Sequence, residues 1–158
     1  MIPGARLVAD IGGTHARFAL LDERGLPERV RVLAVADYVG PVEAVQAYLH
    51  EFGSPPLRAA ALALAAPVHA DVIRMTNADW VFVRADITAR LGLAQLLLVN
   101  DFAALALSLP HLAAADLRQV GGGAAVALAP KAVLGPGTGL GVSGVFFARG
   151  HWLALTGE

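Results

Sequence analysis

The sequence predicts a mixed α/β fold in the order βββαβαβ, followed by the opening strands of a second lobe. Three observations predict it. The chain opens with three strand-like runs joined by short turns, and two apolar runs, 59–66 and 95–99, each follow a helical pattern. A later strand, glycine turn and strand then repeat the logic of the first pair.

Residues 6–9 form a short apolar strand that runs into Asp10-Ile11-Gly12-Gly13-Thr14-His15-Ala16-Arg17 and leaves as a second strand over 18–21. A polar connection leads to 29–35, where charge and hydrophobe alternate as on a half-exposed strand. Pro41 suits a first helical turn, Val42, Val45, Leu49 and Phe52 recur at helical spacing, and Gly53 with Pro55 and Pro56 stops the helix. That helix is expected to cover one face of the sheet. The small-apolar run 59–66 reads as a strand buried on both faces, and 68–75 as a short hairpin excursion. Asp86 is expected to cap a short helix through Arg90, after which 95–99 forms another buried strand running into Asn100-Asp101. An alanine and leucine helix over 102–109 stops at Pro110, and Gly121-Gly122-Gly123 marks a linker. The expected organisation is an N-terminal α/β lobe over 1–110, a linker over 111–130 and the start of a second lobe over 131–158.

With 158 residues, 56% hydrophobic and 16% charged, the chain has ample apolar surface for a packed core. A mean hydropathy of +0.60 comes largely from alanine and glycine, and Gly and Pro interrupt the uncharged stretches, so no membrane-spanning helix is expected. Residues 1–6 lack the basic and apolar segments of a secretory signal, which makes the cytoplasm the expected compartment. The absence of cysteine excludes a disulfide framework and a thiolate metal site, and a formal charge of -1 supplies no footprint for nucleic acid. Small molecules are the expected partners. His50, His69, His111 and His151 are scattered without ligand spacing and receive no role.

The Asp10 to Thr14 turn has the composition of a phosphate cradle. Paired glycines permit positive φ and a close backbone approach to an anion, Thr14 adds a hydroxyl, and Asp10 a carboxylate able to hold a hydrated magnesium ion. Neither G-x-x-x-x-G-K-[ST] nor a G-x-G-x-x-G between strand and helix is present. The later turn, Gly137-Thr138-Gly139-Leu140-Gly141, repeats the pattern, as though two related domains offered cradles to opposite sides of one polyphosphate. For either turn alone a tight hairpin is the competing reading. Asn100-Asp101 sits at the carboxyl end of a strand, where open α/β sheets place groups that meet ligands. Asp101 is thus a candidate base, an N-cap for the following helix, or both. Arg17 suits either a phosphate contact or a salt bridge to Asp22 or Glu23, and Thr76-Asn77 ahead of Trp80 reads as a turn with a core anchor.

Taken in order, the string from Asp10 to Arg17, Met75-Thr76-Asn77-Ala78-Asp79-Trp80, Asn100-Asp101-Phe102 and Gly137-Thr138-Gly139-Leu140-Gly141-Val142 resemble the bacterial glucokinase family, from about residue 6 to the end. The resemblance implies the hexokinase and actin-like ATPase fold, ribonuclease H-like, with two lobes that close over ATP and sugar. It implies that Gly12, Gly13 and Thr14 form a first phosphate loop and Gly137, Thr138 and Gly139 a second, both for ATP. It further implies that Asp101 is the base for the 6-hydroxyl of glucose, that Asn100 and Glu158 bind the sugar, and that Asp10 holds Mg2+ through water. Thr76-Asn77 would border the sugar pocket. His15 stands where the family usually has asparagine and is assigned no chemistry. The implied reaction is ATP-dependent phosphorylation of glucose to glucose 6-phosphate, the opening step of glycolysis, with neither membrane nor nucleic acid as partner.

The family continues for about as many residues again, so the chain is expected to be an N-terminal half with negligible turnover alone. Its second-lobe strands would present unpaired edges, and a homo-oligomer is expected. The competing readings are a hexose kinase of the repressor and open-reading-frame group, a sugar or nucleotide sensor without phosphoryl transfer, and a purely structural fragment.

Overall fold

The structure, a computed structural model, describes residues 4–136 and 140–155. The chain divides into two compact units, Met1–Asp101 and Phe102–Glu158. The sequence reading keeps 102–110 with the first lobe, whereas here those residues cluster with the later strands.

In the first unit, β1 (Ala5–Ile11), β2 (His15–Leu21) and β3 (Pro27–Ala34) form the expected antiparallel set. A short 3-10 helix (Val35–Asp37) leads to α1 (Pro41–His50), which starts with its proline in the first turn. The helix ends where Gly53 takes φ 77° and the Ser54 N–H donates to the Leu49 carbonyl at 2.9 Å. β4 (Leu57–Leu64) then pairs in parallel with β1. A hairpin of β5 (Val72–Arg74) and β6 (Val81–Val83) forms a separate two-stranded sheet. After α2 (Arg84–Arg90), β7 (Gln95–Asn100) pairs in parallel with β4, giving the five-stranded order β3-β2-β1-β4-β7.

Strand alternation decides where the core lies. Leu7, Ala9 and Ile11 of β1, Phe18 and Leu20 of β2, Leu62 and Leu64 of β4 and Leu98 of β7 are buried with Val42, Val45, Tyr48 and Leu49 of α1. Each valine, leucine, isoleucine or phenylalanine among them contributes about 1.5–3 kcal/mol when fully buried. Tyr48 lies 5.5 Å from Phe18, centroid to centroid, and donates its hydroxyl to the Arg29 carbonyl at 3.0 Å. Burial pushes the Tyr48 phenol up from its ordinary pKa.

Three sequence expectations change. The run 59–66 is not buried on both faces: Ala60, Leu62 and Leu64 face the core, whereas Ala59, Ala61 and Ala63 are only half-buried. That second face opens as a depression of about 320 Å³ lined by residues that include Arg6, Val8, Ala61 and Leu97. Alanines read as buried from composition because they are apolar, yet they are too small to demand cover. β7 is likewise an edge strand, with Gln95 and Leu97 exposed. Finally, Asp86 is in the first turn of α2, whose N-cap is Val83, and it reaches Arg90 at 3.5 Å along the helix.

α3 (Asp101–Ser108) begins one residue earlier than expected and passes into a 3-10 turn (Leu109–His111) that holds Pro110. Residues 112–130 carry no regular element beyond a 3-10 turn (Ala114–Asp116). In the second unit β8 (Lys131–Pro136), β9 (Leu140–Ala148) and β10 (His151–Leu155) make an antiparallel sheet in the order β10-β9-β8. Gly135 and Gly141 are ladder partners, and both lack a side chain because the Phe102 ring lies over them. A Cβ at Gly135 would stand 2.8 Å from that ring, and one at Gly141 would collide with it.

Candidate active site

Two strand registers assemble the site within the first unit. Ile11 of β1 is level with Leu64 of β4, and Leu64 with Asn100 of β7. The Asp10 to Thr14 turn and Asn100-Asp101 therefore leave the same carboxyl edge, two ladder spacings or ~10 Å apart. That edge is where parallel α/β sheets receive ligands.

The turn is tight. The Gly12 N–H donates to the His15 carbonyl at 2.9 Å, and the Thr14 carbonyl accepts the Val35 N–H at 2.9 Å. Contrary to the conformational argument from sequence, neither Gly12 nor Gly13 takes a positive φ. Room is the reason for Gly13: a Cβ there would sit 2.8 Å from both the Cβ and the carbonyl oxygen of Asn77. The side chains of Asp10, Thr14 and His15 are exposed beside this turn.

Arg17 pairs with Asp10, Nη1 to Oδ2 at 3.0 Å, and of the two sequence alternatives, a phosphate contact or a bridge to Asp22 or Glu23, the bridge does not form. The two residues are ladder partners on β1 and β2, which brings them face to face across the hairpin. Their side chains are 60% and 57% exposed, so the pair is worth only about 0–1 kcal/mol and can yield to a ligand.

Asn100 and Asp101 are half-buried. The Asn100 amide donates to Asp101 Oδ1 at 3.0 Å and makes a long contact, 3.5 Å, to the Ala66 carbonyl. Asn100 thus links the Asp101 carboxylate to the segment that follows β4. Gly137, Thr138, Gly139 and Glu158 lie outside the described residues. Among the described residues no group of three or more His, Asp or Glu side chains could hold a metal ion. A lone exposed carboxylate, Asp10, fits an ion that keeps its waters and is carried by phosphate, and does not fit a dedicated protein cage.

Sequence reasoning did not bring Asn77 to the turn. The Met75 to Trp80 string was visible, but its contact with Gly13 depends on the β5 and β6 hairpin closing over the sheet edge. The Asp10 and Arg17 pairing was recoverable, since a turn centred between residues 12 and 15 sets those two opposite each other.

Comparison with known proteins gives the chain a lineage. A family model described as Glucokinase matches residues 7–158. The chain belongs to the glucokinase family. The glucokinase of Aromatoleum aromaticum is 52% identical over 155 residues, covering 97% of this chain and 47% of that protein. The chain therefore spans about half the length of the curated glucokinases it matches. Among solved structures, a glucokinase from an Antarctic psychrotroph matches with a TM-score of 0.85 at 32% identity, covering 98% of this chain and 50% of that one. A ROK family glucokinase from Streptomyces griseus, solved in complex with glucose and AMPPNP, matches with a TM-score of 0.61 at 23% identity, over 94% of this chain and 47% of that one. The two likenesses together show the fold expected from the glucokinase resemblance.

Proposed function

We propose that this chain supplies one half of an ATP-dependent glucokinase, holding the phosphate turn and the base that together transfer the γ-phosphoryl group to the 6-hydroxyl of glucose. The observation that carries the reading is the shared carboxyl edge, where the Asp10 to Thr14 turn and Asn100-Asp101 emerge with β4 between them. Family membership and the glucokinase name of a relative 52% identical to it favour glucose over the other hexoses.

In this mechanism Asp101 accepts the proton of the sugar hydroxyl as its oxygen attacks phosphorus. Asn100 holds the carboxylate in position through its 3.0 Å hydrogen bond, and its amide oxygen would accept from a neighbouring sugar hydroxyl. Gly12, Gly13 and Thr14 cradle phosphate oxygens, with Gly137, Thr138 and Gly139 as a second phosphate segment and Glu158 as a sugar ligand by family resemblance. Magnesium carried by the nucleotide would neutralise phosphate charge, with Asp10 holding its water shell and Arg17 releasing that carboxylate. The cytoplasm is the compartment this chemistry suits; no helix among the described residues is long and apolar enough to cross a membrane.

A chimera tests the reading: this chain joined to the C-terminal half of the Aromatoleum aromaticum glucokinase. It should release ADP in a glucose-dependent manner, and Asp101→Ala should lower kcat by about 10²–10⁴-fold. Full turnover in the Asp101→Ala chimera would remove Asp101 from the chemistry, and glucose binding without ADP release in the parent chimera would support a sensor instead.

A further inference from the structure

We propose that Trp80 is a positioning residue for the glycine turn, its indole N–H locking together the two segments that touch Gly13 and Thr14. The inference rests on reading that turn as a phosphate cradle.

Four contacts close a ring around the turn. On one side, the Val35 N–H donates to the Thr14 carbonyl at 2.9 Å, which attaches the start of the 35–38 segment. On the other, Asn77 is packed so tightly on Gly13 that a methyl group there would meet it at 2.8 Å. Asn77 belongs to the loop joining β5 to β6, and that loop is closed by the Met75 N–H donating to the Trp80 carbonyl at 3.3 Å. The Trp80 indole then donates to the Tyr38 carbonyl at 3.0 Å, tying the second segment to the first.

A buried indole needs an acceptor, and many carbonyls would serve. Trp80 is 2% exposed and lies against Phe82, so its ring is core whatever its N–H does. What singles out this hydrogen bond is its acceptor, three residues beyond the Val35 amide that holds Thr14. The turn is thereby gripped from both sides before any ligand arrives, which removes ordering cost from binding.

The test uses the 158-residue chain and amide hydrogen exchange read by NMR. Trp80→Phe keeps the buried ring and removes the donor. Exchange at Gly12 and Val35 should accelerate about five- to tenfold, the weight of one hydrogen bond, while Leu62 at the centre of β4 is unchanged. No change at Gly12 and Val35, or equal acceleration at Leu62, overturns the proposal. If the variant does not fold, the native chain still decides: the Trp80 indole proton and the Gly12 and Val35 amides should open with one free energy and one urea dependence. Independent opening of the indole overturns it.

Inorganic tripolyphosphate with magnesium separates this inference from the functional reading. It should shift the Gly12, Gly13 and Thr14 amide resonances of the native chain, with an affinity lowered about five- to tenfold by Trp80→Phe. Shifts with undiminished affinity in the variant sink the positioning role. Absence of any shift in the native chain sinks the phosphate reading alone, and the exchange data then judge the ring by itself.

Discussion

Gly13 is short of a side chain because Asn77 occupies the room one would need. Gly13→Ala should therefore behave as overpacking against backbone and cost about 1–3 kcal/mol in urea denaturation, although its backbone is not left-handed. A loss below about 0.5 kcal/mol would mean that the 75–80 loop yields freely, since neutral surface changes fall in that range. The placement of Asp10, Gly12, Gly13 and Thr14 at the end of β1, and of Asn100 and Asp101 at the end of β7, was legible in the sequence because each short string carries its own turn or strand-end signal. Their reasons were less so. The amide of Asn100 that orients Asp101 could be guessed from adjacency, whereas Asn77 against Gly13 spans a sequence gap that only tertiary pairing closes.

Elements whose boundaries are written in backbone chemistry matched their expected ranges well. Pro41 and Gly53 bracket α1, whereas β2 starts at His15, ahead of the expected 18–21, and β3 is exposed throughout 27–32 where alternation predicts a half-exposed strand. Cover was harder to read, since Ala59, Ala61, Ala63 and Leu97 are apolar yet stand on a face that the described residues leave half-open. Between helices, the Arg90 guanidinium of α2 meets the Glu43 carboxylate of α1, Nη2 to Oε1, at 2.6 Å. That hydrogen bond holds Glu43 below its ordinary pKa. A carboxylate with a depressed folded pKa stabilises the fold above its unfolded pKa and loses that contribution as pH falls through the folded value. With both side chains more than a third exposed, Glu43→Gln should cost no more than about 1 kcal/mol at neutral pH. Urea midpoints of the two proteins should converge as pH is lowered towards about 3, and a gap that persists in acid would assign the effect to packing.

At the scale of the whole molecule, family and fold were legible because four short strings occur in the right order along the chain, a signal that survives ignorance of packing. The division at Asp101 was not, since the helix after it looks the same whichever unit it joins. The second unit also carries an apolar face. Leu134, Leu140, Val142, Leu153 and Leu155 are all exposed, and the first three sit in paired rungs of β8 and β9. Light scattering of the 158-residue chain should show concentration-dependent association, and Leu134→Glu with Leu153→Glu should abolish it. A monomer at every concentration would leave that face without consequence in solution. The register that levels Ile11, Leu64 and Asn100 has a kinetic consequence. Parallel neighbours cannot be zipped from a hairpin, so a nascent polypeptide folds its first three strands locally but waits for residue 100 to clear the ribosome before Asp101 joins the edge that carries the glycine turn. The proposed base thus reaches its place only after the proposed anion-binding turn has begun to form.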